Sequence, residues 1–151
     1  MKLFRYGNEG QEKPGVLVNG KHLDVSAFGE DFGEKFFETD GLNRLNKFIQ
    51  SGTLKEVSVS RFGSPFTRPS KIICIGLNYA DHAKESNMEL PKEPIVFFKS
   101  TTTLCGPNDN LVIPKNSTQT DWEVELGVVI GKKTSYVSEA NAMNHVAGYV
   151  L

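Results

Sequence analysis

The sequence predicts an α+β, β-rich protein. Three observations carry that expectation. Short strand-forming runs alternate with turn signals in the first third. One stretch places its apolar residues at helical spacing. Near the end, Thr120-Asp121-Trp122-Glu123-Val124-Glu125-Leu126-Gly127-Val128-Val129-Ile130-Gly131 reads as an acidic-then-apolar strand.

Taken in order, Lys2 to Tyr6 and Gly15 to Val18 are candidate strands. Asn19-Gly20 is a two-residue hairpin signal before a third strand, Lys21 to Val25. Thr39 to Gln50 is expected to be helical. Leu42, Leu45, Phe48 and Ile49 fall at i, i+3, i+6 and i+7, Asp40 is placed to cap the start, and Ser51-Gly52 would end it. Residues 1–65 therefore read as a small N-terminal α+β domain, closed by a stretch containing Pro65 and Pro69.

Residues 66–151 change character. Lys71 to Gly76 reads as a buried-type strand, and Asn78 is placed to cap a short helix through about Ser86. Ile95 to Phe98 is a second apolar strand. Gly106-Pro107-Asn108-Asp109 suits a turn with proline at its second position. Asn110 to Pro114 is expected as a short strand, Trp122 to Ile130 as the acidic-then-apolar one, and Ser138 to Val146 as a helix. Ala147 to Leu151 reads as the start of another strand. Apolar strands normally need neighbours. Because this run is apolar to its last residue, the expectation is the front part of a longer protein, the alternative being a terminus tucked into the core.

The 151 residues are 38% apolar and 23% charged with formal net charge −1, an ordinary globular balance. With no basic cluster, neither nucleic acid nor an anionic membrane is expected as a partner. Every apolar run is strand-sized, too short for a membrane span, and the N-terminus lacks the apolar core of a signal peptide. Cys74 and Cys105 form no disulfide framework, which points to a reducing compartment, the cytoplasm.

Glu123 and Glu125 are the candidate chemistry. On a strand, side chains at i and i+2 share a face, with Cα atoms roughly 7 Å apart. Two carboxylates so placed repel unless something lies between them, and a hard divalent cation such as Mg²⁺ suits them. A solvated strand face, with Val124 and Leu126 turned inward, explains the same residues. Asp121 extends the pattern but lies about 13 Å from Glu125 on an extended strand, too far for one ion to gather all three.

Several motifs then coincide in order. Ile73-Cys74-Ile75-Gly76-Leu77-Asn78-Tyr79-Ala80-Asp81-His82-Ala83-Lys84-Glu85 resembles the lid region of the fumarylacetoacetate hydrolase family. So do Pro94-Ile95-Val96-Phe97-Phe98-Lys99-Ser100, Gly106-Pro107-Asn108-Asp109, Asp121-Trp122-Glu123-Val124-Glu125-Leu126, and Ala142-Met143 with Val146, Gly148 and Tyr149. Lys2 to Gly7 and Gln11 to Gly15 are similar to the N-terminal domain of bacterial members, commonly labelled ureidoglycolate lyase or 2,4-diketo-3-deoxy sugar acid hydrolase.

The resemblance implies a mixed β-roll catalytic domain, a homodimer, and Mg²⁺ or Mn²⁺ used on small 2-oxo or 2,4-dioxo acids. It implies cleavage of a carbon–carbon bond by a hydrolase or lyase. Isomerases, hydratases and decarboxylases share the same metal frame, and a catalytically incompetent fragment or binding module is the reading from another class. Glu123 and Glu125 match the family's Glu-x-Glu metal ligands. The third ligand, an Asp, belongs to a motif continuing from Gly148-Tyr149 and would fall beyond Leu151. His82 and Glu85 match the catalytic pair, and their i, i+3 spacing puts them on one helix face. Tyr79 and Lys99 are candidate substrate contacts, although packing and a solvent-facing strand end explain them equally well. Thr101 to Thr103 fit a pocket lining or a plain loop. His22 and His145 carry no such context and are expected to be structural or exposed.

Overall fold

The computed structural model describes residues 1–151. The fold is mixed α+β, with three small antiparallel sheets and short helices. Two compact units emerge. One joins Met1–Thr67 to Cys105–Leu151, and the other is Arg68–Leu104.

The first sheet follows the strand and turn signals closely. β1 (Lys2–Tyr6), β2 (Lys13–Val18) and β3 (Lys21–Asp24) form an antiparallel meander. Asn19 and Gly20 both hold positive φ, 51° and 78°, which the tight β2–β3 turn requires and which this pair of residues tolerates. Gly15 faces Phe4 across the β1–β2 pair, and a Cβ there would lie 2.3 Å from the Phe4 ring, so this position leaves room only for glycine. Residues 55–63 then return along both edges. Asp24 N donates to Lys55 O and Val57 N to His22 O, while Gly63 N donates to Arg5 O.

Helices α1 (Glu34–Glu38) and α2 (Gly41–Ser51) close over this meander. The apolar stripe of α2 is the expected one. Leu45 is fully buried with Val16, Val25, Phe32 and Phe36, and Leu42, Phe48 and Ile49 pack around them. Burying a side chain of Leu45's size contributes roughly 1.5–3 kcal/mol. Asp40 does occupy the residue before α2, but it sits in the left-handed region at φ 59° and makes no side-chain cap bond to the backbone. Its carboxylate instead accepts from the Asn43 amide at 2.7 Å. The short helix α1 has no counterpart in the sequence reading, because five residues show too few apolar repeats to declare a period.

In the second unit, β4 (Ile72–Gly76) pairs antiparallel with β5 (Ile95–Lys99), and α3 (Ala80–Glu85) lies between them in sequence. The helix starts one residue later than expected, with Tyr79 rather than Asn78 at its N-cap. The reading of β4 as a buried-type strand is corrected here. Its side chains alternate between half-buried and exposed, and every β5 residue is exposed.

The returning segment of the first unit begins with the expected turn. Asp109 N donates to Gly106 O at 3.1 Å, and the Asp109 carboxylate accepts from Gly106 N at 2.6 Å. Asn110 to Pro114 is not a strand, because it finds no ladder partner. The acidic-then-apolar strand is shorter than expected. β6 covers Gly127–Ile130 only, and Asp121 to Leu126 are irregular and exposed. Val124 and Leu126 are therefore not turned inward. The expected Ser138 to Val146 helix divides into α4 (Glu139–Ala142) and a 3₁₀ turn, Met143–His145, before the chain enters β7 (Val146–Val150). The closing apolar run forms the expected strand, and β7 pairs antiparallel with β6.

A part-buried ion cluster ties the two segments of the first unit together. Arg61 donates to both Asp109 oxygens, at 2.7 and 2.6 Å, and to Glu12 at 2.9 Å; Arg5 lies 3.8 Å from Glu12 and 3.0 Å from Asp31. Burial disfavours the charged form of Glu12, yet the bond from Arg61, with backbone bonds and Arg5, leaves its carboxyl below the ordinary 4.5. Bonds from Arg61 and from the Gly106 N–H hold Asp109 below the ordinary 3.8. Carboxyls with lowered folded values contribute stability above their unfolded values and lose it as pH falls through the folded ones. Stability is therefore expected to decline on acidification below about pH 4.5. Arg61→Ala, which leaves two carboxylates without their partner, should lower the thermal midpoint by several degrees at pH 7 and flatten that decline. Melts from pH 3 to 7 check it, and an unchanged acid profile in Arg61→Ala would assign the pH dependence elsewhere.

Candidate functional site

Four candidate residues lie in the second unit. α3 is six residues long, and it presents His82 and Glu85 at i and i+3. Ala83, on the opposite side of the helix, is buried, which leaves His82 and Glu85 facing solvent. The backbone N–H of His82 donates to the Asp81 carboxylate at 3.0 Å, and its carbonyl accepts from Ser86 N at 3.0 Å. These bonds anchor the backbone at His82 and leave the imidazole open to a substrate or a water. Tyr79 stands at the start of the helix in extended conformation, with its ring exposed. Lys99 closes β5 opposite Ile72 and is exposed.

Glu123 and Glu125 lie in the first unit, in the irregular segment just before β6. The shared strand face expected of them is not formed, because the ladder begins only at Gly127 opposite Val150. The Asp121 carboxylate accepts from Trp122 N at 2.8 Å. No three His, Cys, Asp or Glu side chains converge as a ligand set. The donors fit a hard divalent cation in kind, since both are carboxylates, and are incomplete in number.

The other two histidines are accounted for structurally. His22 packs edge-on to Phe4 at 5.1 Å and lies 5.5 Å from Phe62. His145 Nδ1 lies 3.0 Å from Thr134 Oγ1. A cleft of about 120 Å³ between Asp40, Lys132, Asn144 and His145 contains none of the candidate residues. It is small beside the roughly 300–1,000 Å³ usual for ligand sites. Sequence reasoning did not find the Arg61 cluster. Its partners, Glu12 and Asp109, are 49 and 48 residues away, and no local pattern announces such a pairing.

Residues 71–151 match the family model described as fumarylacetoacetate (FAA) hydrolase C-terminal. A curated Burkholderia ambifaria protein, provisionally named a hydrolase, is 54% identical over 99% of this chain and 53% of its own length. A Burkholderia cenocepacia protein with a similar provisional name is 53% identical over the same shares. The chain thus spans about half the length of the curated relatives it matches. Among solved structures, a Mycobacterium smegmatis protein provisionally named HpcE superposes with TM-score 0.78 at 30% identity. The fumarylacetoacetate hydrolase of psychrophilic Exiguobacterium antarcticum does so with TM-score 0.75 at 28% identity. Each superposition covers 99% of this chain and 53% of the other.

Proposed function

This chain belongs to the fumarylacetoacetate hydrolase family, and from that premise we propose that it carries part of the active site of a divalent-metal-dependent enzyme. The reaction is hydrolytic or lytic cleavage of a carbon–carbon bond in small 2-oxo or 2,4-dioxo acids of the acylpyruvate kind. One observation supports the reading above the others. The matched segment, 71–151, contains both acid–base candidates on one short helix and both carboxylate candidates in one Glu-x-Glu motif.

Each residue then has a role. Glu123 and Glu125 would hold Mg²⁺ or Mn²⁺, which supplies Lewis-acid stabilisation of negative charge on the 2-oxo group. An imidazole nitrogen of His82 removes a proton from water as the oxygen attacks the distal carbonyl. Glu85 stabilises the imidazolium that results. When the carbon–carbon bond breaks, its electron pair passes to the 2-oxo fragment as an enolate, and the proton held by His82 returns to that carbon. Tyr79 and Lys99 orient the anionic substrate, Lys99 through its charge. A homodimeric, cytoplasmic enzyme belongs to the same reading.

The test uses this sequence joined to the part of the Burkholderia ambifaria relative that it does not match. The joined protein should release a 2-oxo acid from acylpyruvates in the presence of Mg²⁺ or Mn²⁺, lose that activity to EDTA, and regain it on adding metal. Turnover that survives EDTA undiminished would remove the metal from the account.

A further inference from the structure

The chain leaves the first compact unit at Thr67–Arg68 and re-enters it at Leu104–Cys105. The outgoing and returning segments are linked at successive points. Arg61 pairs with Asp109, Arg68 Nε donates to Thr101 Oγ1 at 2.9 Å, and the β4–β5 ladder runs from Ile72 opposite Lys99 to Gly76 opposite Ile95. Each step forward on one segment is matched by a step back on the other, which is the order of an antiparallel stem. Helix α3, with His82 and Glu85, lies in the loop that this stem closes. The root is the most strongly bonded part. The Arg61 guanidinium meets the Asp109 carboxylate through two bonds, at 2.7 and 2.6 Å, a bidentate geometry that fixes orientation as well as distance. The same guanidinium donates to Gly7 O and to Glu12, both at 2.9 Å, which ties the pair to the β1–β2 connection. A Cβ on Gly106 would collide with the Phe62 carbonyl oxygen, so the returning turn lies directly against the residue after Arg61. Thr67 is held too, its N–H donating to Phe32 O at 2.9 Å.

We propose that Arg61, acting through Asp109, is a positioning residue for His82. The bidentate pair joins residues 48 apart in sequence and so pins both ends of the segment that carries α3 to one place on the first unit. With the root closed, the entropy of bringing those ends together is already lost; with it open, the ends separate and the helix samples a wider range of positions. A two-stranded ladder is marginal by itself, so β4 and β5 cannot substitute for the root. Proton transfer is sensitive to such movement, since a displacement of about 1 Å can cost about a hundredfold. The other ion pairs of the first unit lack this placement: Arg44–Glu30 and Lys21–Glu56 touch neither Asp109 nor the returning turn. The role of His82 rests on the proposed function, whereas the pinning rests on the contacts alone.

Hydrogen exchange of the joined protein, followed by mass spectrometry, reads the pinning without reference to turnover. In Arg61→Gln and in Asp109→Asn, exchange at the hydrogen-bonded amides of Ala83, Ser86, Asn87 and Met88 should rise, exceeding any rise around the buried Leu45 by about tenfold. The double variant should add little to either single one, because each already opens the same pair. Arg61→Lys keeps the charge without the fork and should fall between wild type and Arg61→Gln. Arg44→Gln breaks a different pair of the same unit and should leave the ratio of α3 to core exchange at its wild-type value. In steady-state kinetics, Arg61→Gln should lower kcat about tenfold with Mn²⁺ binding unchanged. Three outcomes overturn the proposal: an unchanged exchange ratio in Arg61→Gln, an equal rise in Arg44→Gln, or full kcat in Arg61→Gln despite faster α3 exchange. A wild-type joined protein that turns over no acylpyruvate, with exchange responding as expected, would overturn the proposed function and support the pinning.

Discussion

Glu123→Ala in the joined protein is expected to lower turnover about 10³-fold or more, the equivalent of roughly 4 kcal/mol of lost transition-state stabilisation. The size follows from what the residue supplies. Mg²⁺ and Mn²⁺ are commonly held by one or two carboxylates plus substrate and water. Removing one of the two that this chain offers leaves the cation on a single protein oxygen donor from this segment. The change lies in an irregular, exposed segment outside the buried core, so the core packing should be kept. A thermal melt that matches wild type, taken beside steady-state kinetics with and without added Mn²⁺, separates loss of the ion from loss of structure. Partial recovery at high Mn²⁺ is expected, since weakened affinity can be overcome by mass action.

His82→Ala is expected to lower turnover by about 10²–10⁴-fold, the range for removing a general acid–base group. It should leave Mn²⁺ affinity unchanged, and that division between the two variants is the informative part. His82 is not among the proposed ligands, so a loss of metal binding in His82→Ala would show that the roles had been assigned wrongly. Helix α3 is short, but its one buried residue is Ala83, so truncating the exposed His82 side chain leaves that packing in place. Glu85→Gln should lower turnover less than His82→Ala, because the carboxylate stabilises the imidazolium and moves no proton itself.

The elements legible in the sequence were those whose causes are local. Lys2–Tyr6, the Asn19-Gly20 turn and the Leu42, Leu45, Phe48 and Ile49 stripe declare themselves within a few residues, and the structure forms all of them. The Gly106 to Asp109 turn is equally self-contained, closed by its own backbone and carboxylate. Expectations went wrong where a strand needed a distant partner. Val124 and Leu126 have strand-like spacing and Leu111 to Ile113 are apolar, yet neither segment forms a ladder. The pattern of a strand is written in its residues, and its hydrogen bonds are not. The same holds for β4 and β5, whose apolar character predicts burial that no part of this chain provides. For the candidate site, the residue types and spacings of His82, Glu85, Glu123 and Glu125 were visible, along with the family they resemble. The irregular backbone that carries the two glutamates was not, because it depends on how far the β6–β7 ladder extends.

The central claim is that Glu123 and Glu125 hold a divalent cation. It is tested most directly by counting Mn²⁺ bound to the joined protein, from the electron paramagnetic resonance signal of the free ion. The account predicts a single Mn²⁺ per chain in wild type and in His82→Ala, with that ion lost at the same free concentration in Glu123→Ala and in Glu125→Ala. Mn²⁺ held as tightly by both glutamate variants as by wild type would contradict it.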